Sequence, residues 1–160
     1  MSAACAALGI SLGLMVGKMT LAKQKGRQKS QLSSKLLALD KLRLKALDIV
    51  DCDPVVFEEL MCAYGSRKSR KAKSAKQLDC LLNQCCDVQI KLISVSQGAR
   101  AIISSFKSLV RGSLVDDLKI SDIVLSAAIR AALITANLNV IVIKDSTLRK
   151  KLTVQLNRLV

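Results

Sequence analysis

The chain contains no histidine, so the usual near-neutral proton carrier and the commonest metal ligand are both missing from its chemistry. Any catalysis falls to carboxylates, lysines, cysteines, the single tyrosine, hydroxyls or backbone groups. Carboxylates stand at three informative places. Asp51-Cys52-Asp53-Pro54 sets two acids beside the only proline, Asp116-Asp117 is an acidic pair in a polar stretch, and Ser121-Asp122 precedes a long apolar run. By its place in the sequence Asp53 is an N-cap before a first-turn proline, whose missing N–H would be unpaired there in any case. Glu58 and Glu59 then fall early in the resulting helix, where the dipole favours acids. Ser121-Asp122 is the same kind of helix opening. In the apolar run that follows, Arg130, Asn137 and Asn139 are polar groups that need partners if buried.

The six cysteines, Cys5, Cys52, Cys62, Cys80, Cys85 and Cys86, fall mostly inside apolar runs and form no Cys-x-x-Cys pair. That spacing suits neither a zinc site nor a disulfide framework, and no metal is expected. Buried free thiols in a reducing cytoplasm are expected instead, because cysteine packs as a small hydrophobe. The formal net charge of +14 comes from 26 Lys and Arg against 12 Asp and Glu. Such an excess suits an anionic partner: nucleic acid, acidic lipid, or a polyanionic small molecule such as a polyglutamylated cofactor. It is concentrated in Gly65 to Lys76, which holds Arg67, Lys68, Arg70, Lys71, Lys73 and Lys76 without an acid or an aromatic. This segment is either a solvated loop leading into the next helix or an anion-binding arm. Without stacking aromatics, any nucleic-acid contact would be to phosphate.

The elements that must position these groups are helical. At 160 residues the chain suits one domain, residues 1–160, with a sizeable core. It is 51% hydrophobic but only 2% aromatic, a composition of helix formers with few breakers that favours an all-α fold packed through Ala, Gly and Ser. A first helix is expected over Ser2 to Lys25. No basic segment precedes its apolar run, and Lys18 interrupts it before the roughly 20 residues a spanning helix needs. A buried core helix is therefore expected there, in place of an export signal or membrane span. An amphipathic helix over Ser30 to Val50 and a short one over Pro54 to Tyr64 follow. A long helix runs from Ser74 to Ser96, with a kink at Gln97-Gly98 before a continuation from Ala99 to Val110. A polar connection, Arg111 to Ile120, leads to a second apolar helix, Ile123 to Ile143, and a last amphipathic helix, Asp145 to Val160. The β-branched cluster Val140 to Ile143 also suits a strand, but nothing else in the chain would pair with it. The expected architecture is an up-and-down helical bundle with a buried central pair formed by the first and penultimate helices.

Three stretches, in order, resemble the formiminotetrahydrofolate cyclodeaminase / methenyltetrahydrofolate cyclohydrolase family. SAACAALGISLGLMVGKMTLAKQK, Ser2 to Lys25, resembles its Ala/Gly-rich helix ending in a Met-Val-x-x-Met-Thr-like run. VDCDPVVFEELMCAY, Val50 to Tyr64, resembles its Asp-x-Asp-x-x-x-Phe segment, and ISDIVLSAAIRAALITANLNVIVIKD, Ile120 to Asp145, resembles a Ser-Asp helix start and an apolar helix ending in Asn-Val. The resemblance spans nearly the whole chain. It implies a cyclodeaminase-like, all-helical homodimer acting in the cytoplasm on the one-carbon unit of a tetrahydrofolate derivative. Members close N5-formimino-tetrahydrofolate with loss of ammonia, or hydrolyse the methenyl compound to 10-formyl-tetrahydrofolate. Carried over residue by residue, it implies Asp53 and Asp122 as catalytic carboxylates. It implies Thr20, Lys23, Phe57, Ser121 and Asn139 as substrate-binding residues.

This chain departs from the family at three places, one of them an Asp122 to Asn139 interval one residue shorter than the resemblance implies. Met1 falls just after the position of the family's Gly-Gly-Gly-Ser loop, whose glycines let backbone amides approach an anion or the ligand, so the resemblance is to an N-terminally shortened member. Gly65-Ser66-Arg67 stands where the family has Leu-Pro-Lys. Two function classes follow. One is the folate one-carbon enzyme; the other is a catalytically impaired helical binding protein that offers its basic surface to nucleic acid or acidic lipid.

Overall fold

Buried positions recur every three or four residues along most of the chain, and this period, more than any local breaker, sets the helix boundaries. The computed structural model describes residues 1–65 and 75–159. Among the described residues the α-helices are α1 Ser2–Leu21, α2 Gly26–Gly65, α3 Ala75–Phe106, α4 Leu114–Val142 and α5 Ser146–Asn157, with a 3-10 turn at Lys107–Leu109 and no strand. The basic run at 66–74 lies outside the described residues.

Helix α2 runs straight through the expected junction at Asp51 to Pro54. Ala46, Ile49, Leu60 and Ala63 are buried, and the half-buried Asp53 and Val56 carry their spacing across the proline. Pro54 itself is exposed, so its missing N–H falls on the solvent side, where a lost helix hydrogen bond is least costly. Asp53 is therefore a mid-helix residue and not an N-cap. Helix α3 likewise continues past Gln97-Gly98, because Leu92, Ile93, Ser96, Ala99, Ile103 and Phe106 form one unbroken buried stripe. Helix α4 begins earlier than expected. Gly112, at φ +65°, turns the chain, and Leu114 opens the helix with Asp116 and Asp117 in its first turn. Ser121 thus lies inside α4 as a buried residue, and the β-branched end at Val140 to Val142 is helical.

Contacts between the helices give an up-and-down bundle. Lys35 Nζ donates to the Ser105 carbonyl at 3.0 Å and Gln89 to Asp53 at 2.8 Å, so α2 and α3 run antiparallel. Arg100 pairs with Asp122, and the Cys86 thiol faces the Ala136 carbonyl at 3.7 Å, so α3 and α4 do the same. The two apolar helices pack on each other, and small residues on α1 make this possible. A Cβ on Gly9 would come within 2.9 Å of Leu125 Cγ, and one on Gly13 within 2.5 Å of Ile103 Cδ1. Ser121 Oγ fills the remaining gap by donating to the Gly9 carbonyl at 2.7 Å. Half of α1 is buried, as a core helix requires. Helix α4 buries one face on α1 and α3 and leaves an apolar outer face, including Ile123, Ile134, Leu138 and Ile141, in the open.

A second, smaller core gathers Leu60, Leu78, Leu82, Cys86, Val140, Ile143, Leu152 and Leu156 at the end of the bundle where α5 docks. Its closure depends on the buried Asp79, whose two carboxylate oxygens accept the backbone N–H groups of Lys144 and Asp145 at 2.9 and 2.8 Å. Asp145 then caps α5 by accepting from Thr147 and Leu148. Replacing Asp79 by Ala strands both amides, and we expect a loss of about 2–4 kcal/mol. Amide hydrogen exchange would show it as faster exchange through α5; unchanged protection there would contradict the role.

The cysteines divide. Cys85 and Cys86 are buried as expected, whereas Cys52, Cys62 and Cys80 are exposed and Cys5 is half-buried. The expectation of buried thiols fails at those three because each sits on the outer face of its helix. Burial, with lesser contributions from Cys85 and Asp87, pushes the Cys86 thiol up to about 12 from an ordinary 9.0. Burial first, then Asp53, raises Cys85 as well. The folded state therefore holds the neutral Cys86 thiol while the unfolded state ionises. This contribution is fully present below pH 9.0 and is lost between there and about 12. Maleimide at neutral pH is expected to label Cys52, Cys62 and Cys80 and to spare Cys85 and Cys86, as read by peptide mass; equal labelling of all would contradict the packing.

Candidate functional site

Where α3 and α4 diverge toward the loop that joins them, a groove of about 650 Å³ opens. Its floor is apolar, from Ile103, Leu118 and Ile123, and small residues, Ala101 and Ser104, leave the space. Arg100, Lys107, Lys119 and Asp122 bring the charge. Helical spacing explains the set. Arg100 and Ser104 follow one another down one face of α3 with Lys107 opening the 3-10 turn beyond it, and Lys119, Asp122 and Ile123 share a face of α4.

Arg100 holds Asp122 with a two-pronged grip. Nε donates to Oδ1 at 2.6 Å and Nη2 to Oδ2 at 3.0 Å. The side chains remain 41% and 49% exposed, so the pair adds little to stability, but the planar fork fixes the direction of the carboxylate. The hydrogen bonds to Asp122 push the Arg100 guanidinium further up, and it stays charged at any working pH. Lys119 bonds Asp116 at 2.8 Å on the same rim. The groove thus offers an oriented carboxylate, an apolar floor and a cationic edge. Such a site can take a planar, partly apolar molecule bearing carboxylates, and can exchange a proton with it.

A second polar cluster lies further along α3. Gln89, 3% exposed, donates to Asp53 Oδ1 at 2.8 Å while its own Oε1 has no hydrogen-bond partner among the described residues. Cys85 stands beside it on the same helix, and Asn139 lies one turn beyond Ala136, which faces Cys86. Gln89 and Arg100 are eleven residues apart on α3, or about 16 Å along the axis.

The seven residues implied by the family resemblance are therefore divided between two places. Asp122 lies in the groove, and Ser121 is its buried neighbour on the α1 side. Asp53 belongs to the second cluster, Asn139 lies further along α4 beyond Ala136, and Phe57, one turn from Asp53, is 57% exposed. Asn139 is eighteen residues from Ser121 on the same straight helix, or about 27 Å away. Thr20 is 3% exposed, its hydroxyl has no hydrogen-bond partner among the described residues, and Lys23 is exposed just beyond the end of α1. No hydrogen bond joins any two of these seven. Within one chain, Asp53 and Asp122 are held by α3 residues eleven positions apart. Arg100, Lys107 and Lys119 escaped the sequence reading, because nothing local marks an arginine on α3 as the partner of an acid on α4. Among the described residues, no group of three Cys, Asp or Glu side chains is placed to hold a metal ion.

The bundle is similar to the crystal structure of formiminotetrahydrofolate cyclodeaminase from Thermotoga maritima, with a TM-score of 0.85 over 99% of this chain and 77% of that one. At 22% identity this likeness shows a shared fold. None of the curated proteins compared with the chain matches it. The sequence pattern of the formiminotransferase-cyclodeaminase family, however, matches residues 1–158, which takes in every described helix and both polar clusters. By that match, the chain belongs to the formiminotransferase-cyclodeaminase family.

Proposed function

We propose that the chain is a cytoplasmic folate one-carbon enzyme, a cyclodeaminase or methenyltetrahydrofolate cyclohydrolase, acting as a homodimer. The observation that carries this reading is the α3–α4 groove in a chain of this family: an oriented carboxylate over an apolar floor, edged by cations. The pterin and aryl rings of a tetrahydrofolate derivative suit the floor formed by Ile103, Leu118 and Ile123. Lys107 and Lys119 suit the glutamate tail. Asp122 then takes or gives the proton as the amidine carbon is attacked by water, or by N10, the nitrogen between the pterin and aryl rings, with loss of ammonia, and Arg100 fixes its direction. No metal enters this scheme.

Calorimetric titration with a polyglutamylated tetrahydrofolate tests the placement. We expect one site per chain, weakened roughly five- to tenfold at low salt by Lys107→Glu combined with Lys119→Glu. Equal affinity in the double variant would remove the groove from the account. A second reading is favoured by the net charge of +14: a non-enzymatic protein holding nucleic acid or acidic lipid. It requires salt-sensitive binding that disappears when Arg67 to Lys76 are neutralised, and absence of such binding at low salt rejects it.

A further inference from the structure

The α3–α4 groove is lined by three cations, and two of them already face an acid. Arg100 grips both oxygens of Asp122, and Lys119 donates to Asp116 at 2.8 Å. Near the same end of α3, Lys35 is held by the Ser105 carbonyl and Arg111 by the Ser108 and Val110 carbonyls. Lys107 is exposed and has neither a hydrogen bond nor an ion pair for its side chain among the described residues. A carboxylate entering the groove therefore meets one cation that no acid has already neutralised. One turn before Lys107, Ser104 also lines the groove, its hydroxyl unbonded among the described residues.

We propose that Lys107 is a specificity residue that takes the α-carboxylate of a folate's first glutamate, while Ser104 donates to the carbonyl joining that glutamate to the aryl ring. This assignment rests on the folate reading and deepens it by naming the substrate class: folates that carry a glutamate, whatever the number. The spacing supports it. From Arg100, which aims Asp122 at the reacting carbon, Ser104 is four residues on and Lys107 seven. Along the helix axis these steps are about 6 Å and about 10–11 Å. In the ligand, bond lengths put the aryl carbonyl about 6 Å from N10 and the first α-carboxylate about 9–10 Å from it. Donor and cation on the protein thus follow the carboxylate grip in the order and at the intervals of carbonyl and carboxylate on the ligand. Ile103 and Leu118 supply the apolar floor for the aryl ring between them.

Further glutamates are attached through the γ-carboxyl, so the first α-carboxylate is present at every chain length. Beyond Lys107 the groove lining has no second cation free of an acid among the described residues. Added glutamates then run into solvent, where screening leaves each of them a small effect. A lysine suits this task, because its compact charge on a flexible stem meets one carboxylate without imposing the planar approach that an arginine would.

Anaerobic calorimetry with three ligands tests it, none bearing a one-carbon unit, so that nothing is turned over. They are tetrahydrofolate monoglutamate, its triglutamate, and the tetrahydropteroyl methylamide, which keeps the aryl carbonyl and replaces the glutamate by methyl. The wild-type chain is expected to bind the two glutamates within about twofold of each other and the methylamide roughly three- to fivefold more weakly at low salt. Lys107→Gln is expected to bring the monoglutamate down to the level of the methylamide and to leave the methylamide unchanged. That coupling between one side chain and one ligand group is not produced by a general loss of fold or charge. Lys91→Gln removes the same charge from an exposed site sixteen residues earlier on α3 and is expected to change none of the three affinities. Ser104→Ala is expected to weaken all three by a similar factor, since each keeps the carbonyl. A methylamide bound as tightly as the monoglutamate, a loss in Lys107→Gln no larger than in Lys119→Gln, or a triglutamate bound more than about fivefold tighter would overturn this assignment and leave the folate reading standing. Binding of none of the three would strike the folate reading, and this assignment with it.

Discussion

Asp122→Asn is expected to lower turnover of a tetrahydrofolate one-carbon substrate by roughly 10²- to 10⁴-fold, the range for loss of a positioned proton carrier. The amide keeps the shape of the carboxylate and can still accept from Arg100, so the groove is preserved while the proton acceptor is lost. The Arg100–Asp122 pair is about half exposed, so the substitution is expected to change stability by no more than about 1 kcal/mol. A small change in melting temperature with a large fall in kcat separates chemistry from folding. Arg100→Lys is a companion variant, because it keeps the charge and loses the planar fork that aims both oxygens of Asp122. We expect it to fall between wild type and Asp122→Asn. Wild-type turnover in Asp122→Asn would remove this carboxylate from the mechanism.

Phe106→Ala carries the largest expected effect on stability. Phe106 is fully buried at the end of α3, and a Cβ on Gly17 would sit 3.4 Å from its ring, so the aromatic fills the space that α1's glycine leaves. Few other large side chains exist to relax into the gap, since the chain has two Phe, one Tyr and no Trp. Truncation is expected to cost about 3–5 kcal/mol. That is a large share of the roughly 5–15 kcal/mol that holds a domain together, and corresponds to a fall of roughly 6–20 °C in Tm. Chemical denaturation of both proteins measures it. A loss below about 1 kcal/mol would mean that this part of the core is not packed as described.

Much of the bundle was legible before any coordinates, because a helix facing a core writes its period into the sequence. Leu32, Leu36 and Leu39 announce α2, and Leu78, Leu82 and Cys85 announce α3. The errors came from reading local signals as decisive. Asp53-Pro54 is a good helix start in isolation, but the buried spacing from Ile49 to Leu60 continues through it and prevails. Ser121 is a good cap in isolation, yet it is buried because its hydroxyl finds the Gly9 carbonyl on another helix. The same limit applies to the site. Asp122 was legible, but Arg100 was not, for their meeting depends on how α3 and α4 are paired. Nor could the sequence show that Asp53 and Asp122 stand about 16 Å apart along the bundle, which follows from the partners each finds on α3.

The most direct test of the folate reading is the decay of the 5,10-methenyl-tetrahydrofolate chromophore on adding the purified full chain, followed against buffer alone and against Asp122→Asn. The account predicts decay well above the uncatalysed rate with wild type, or rapid appearance of that chromophore from N5-formimino-tetrahydrofolate, and little of either with the variant. Rates equal to buffer for both substrates would contradict it.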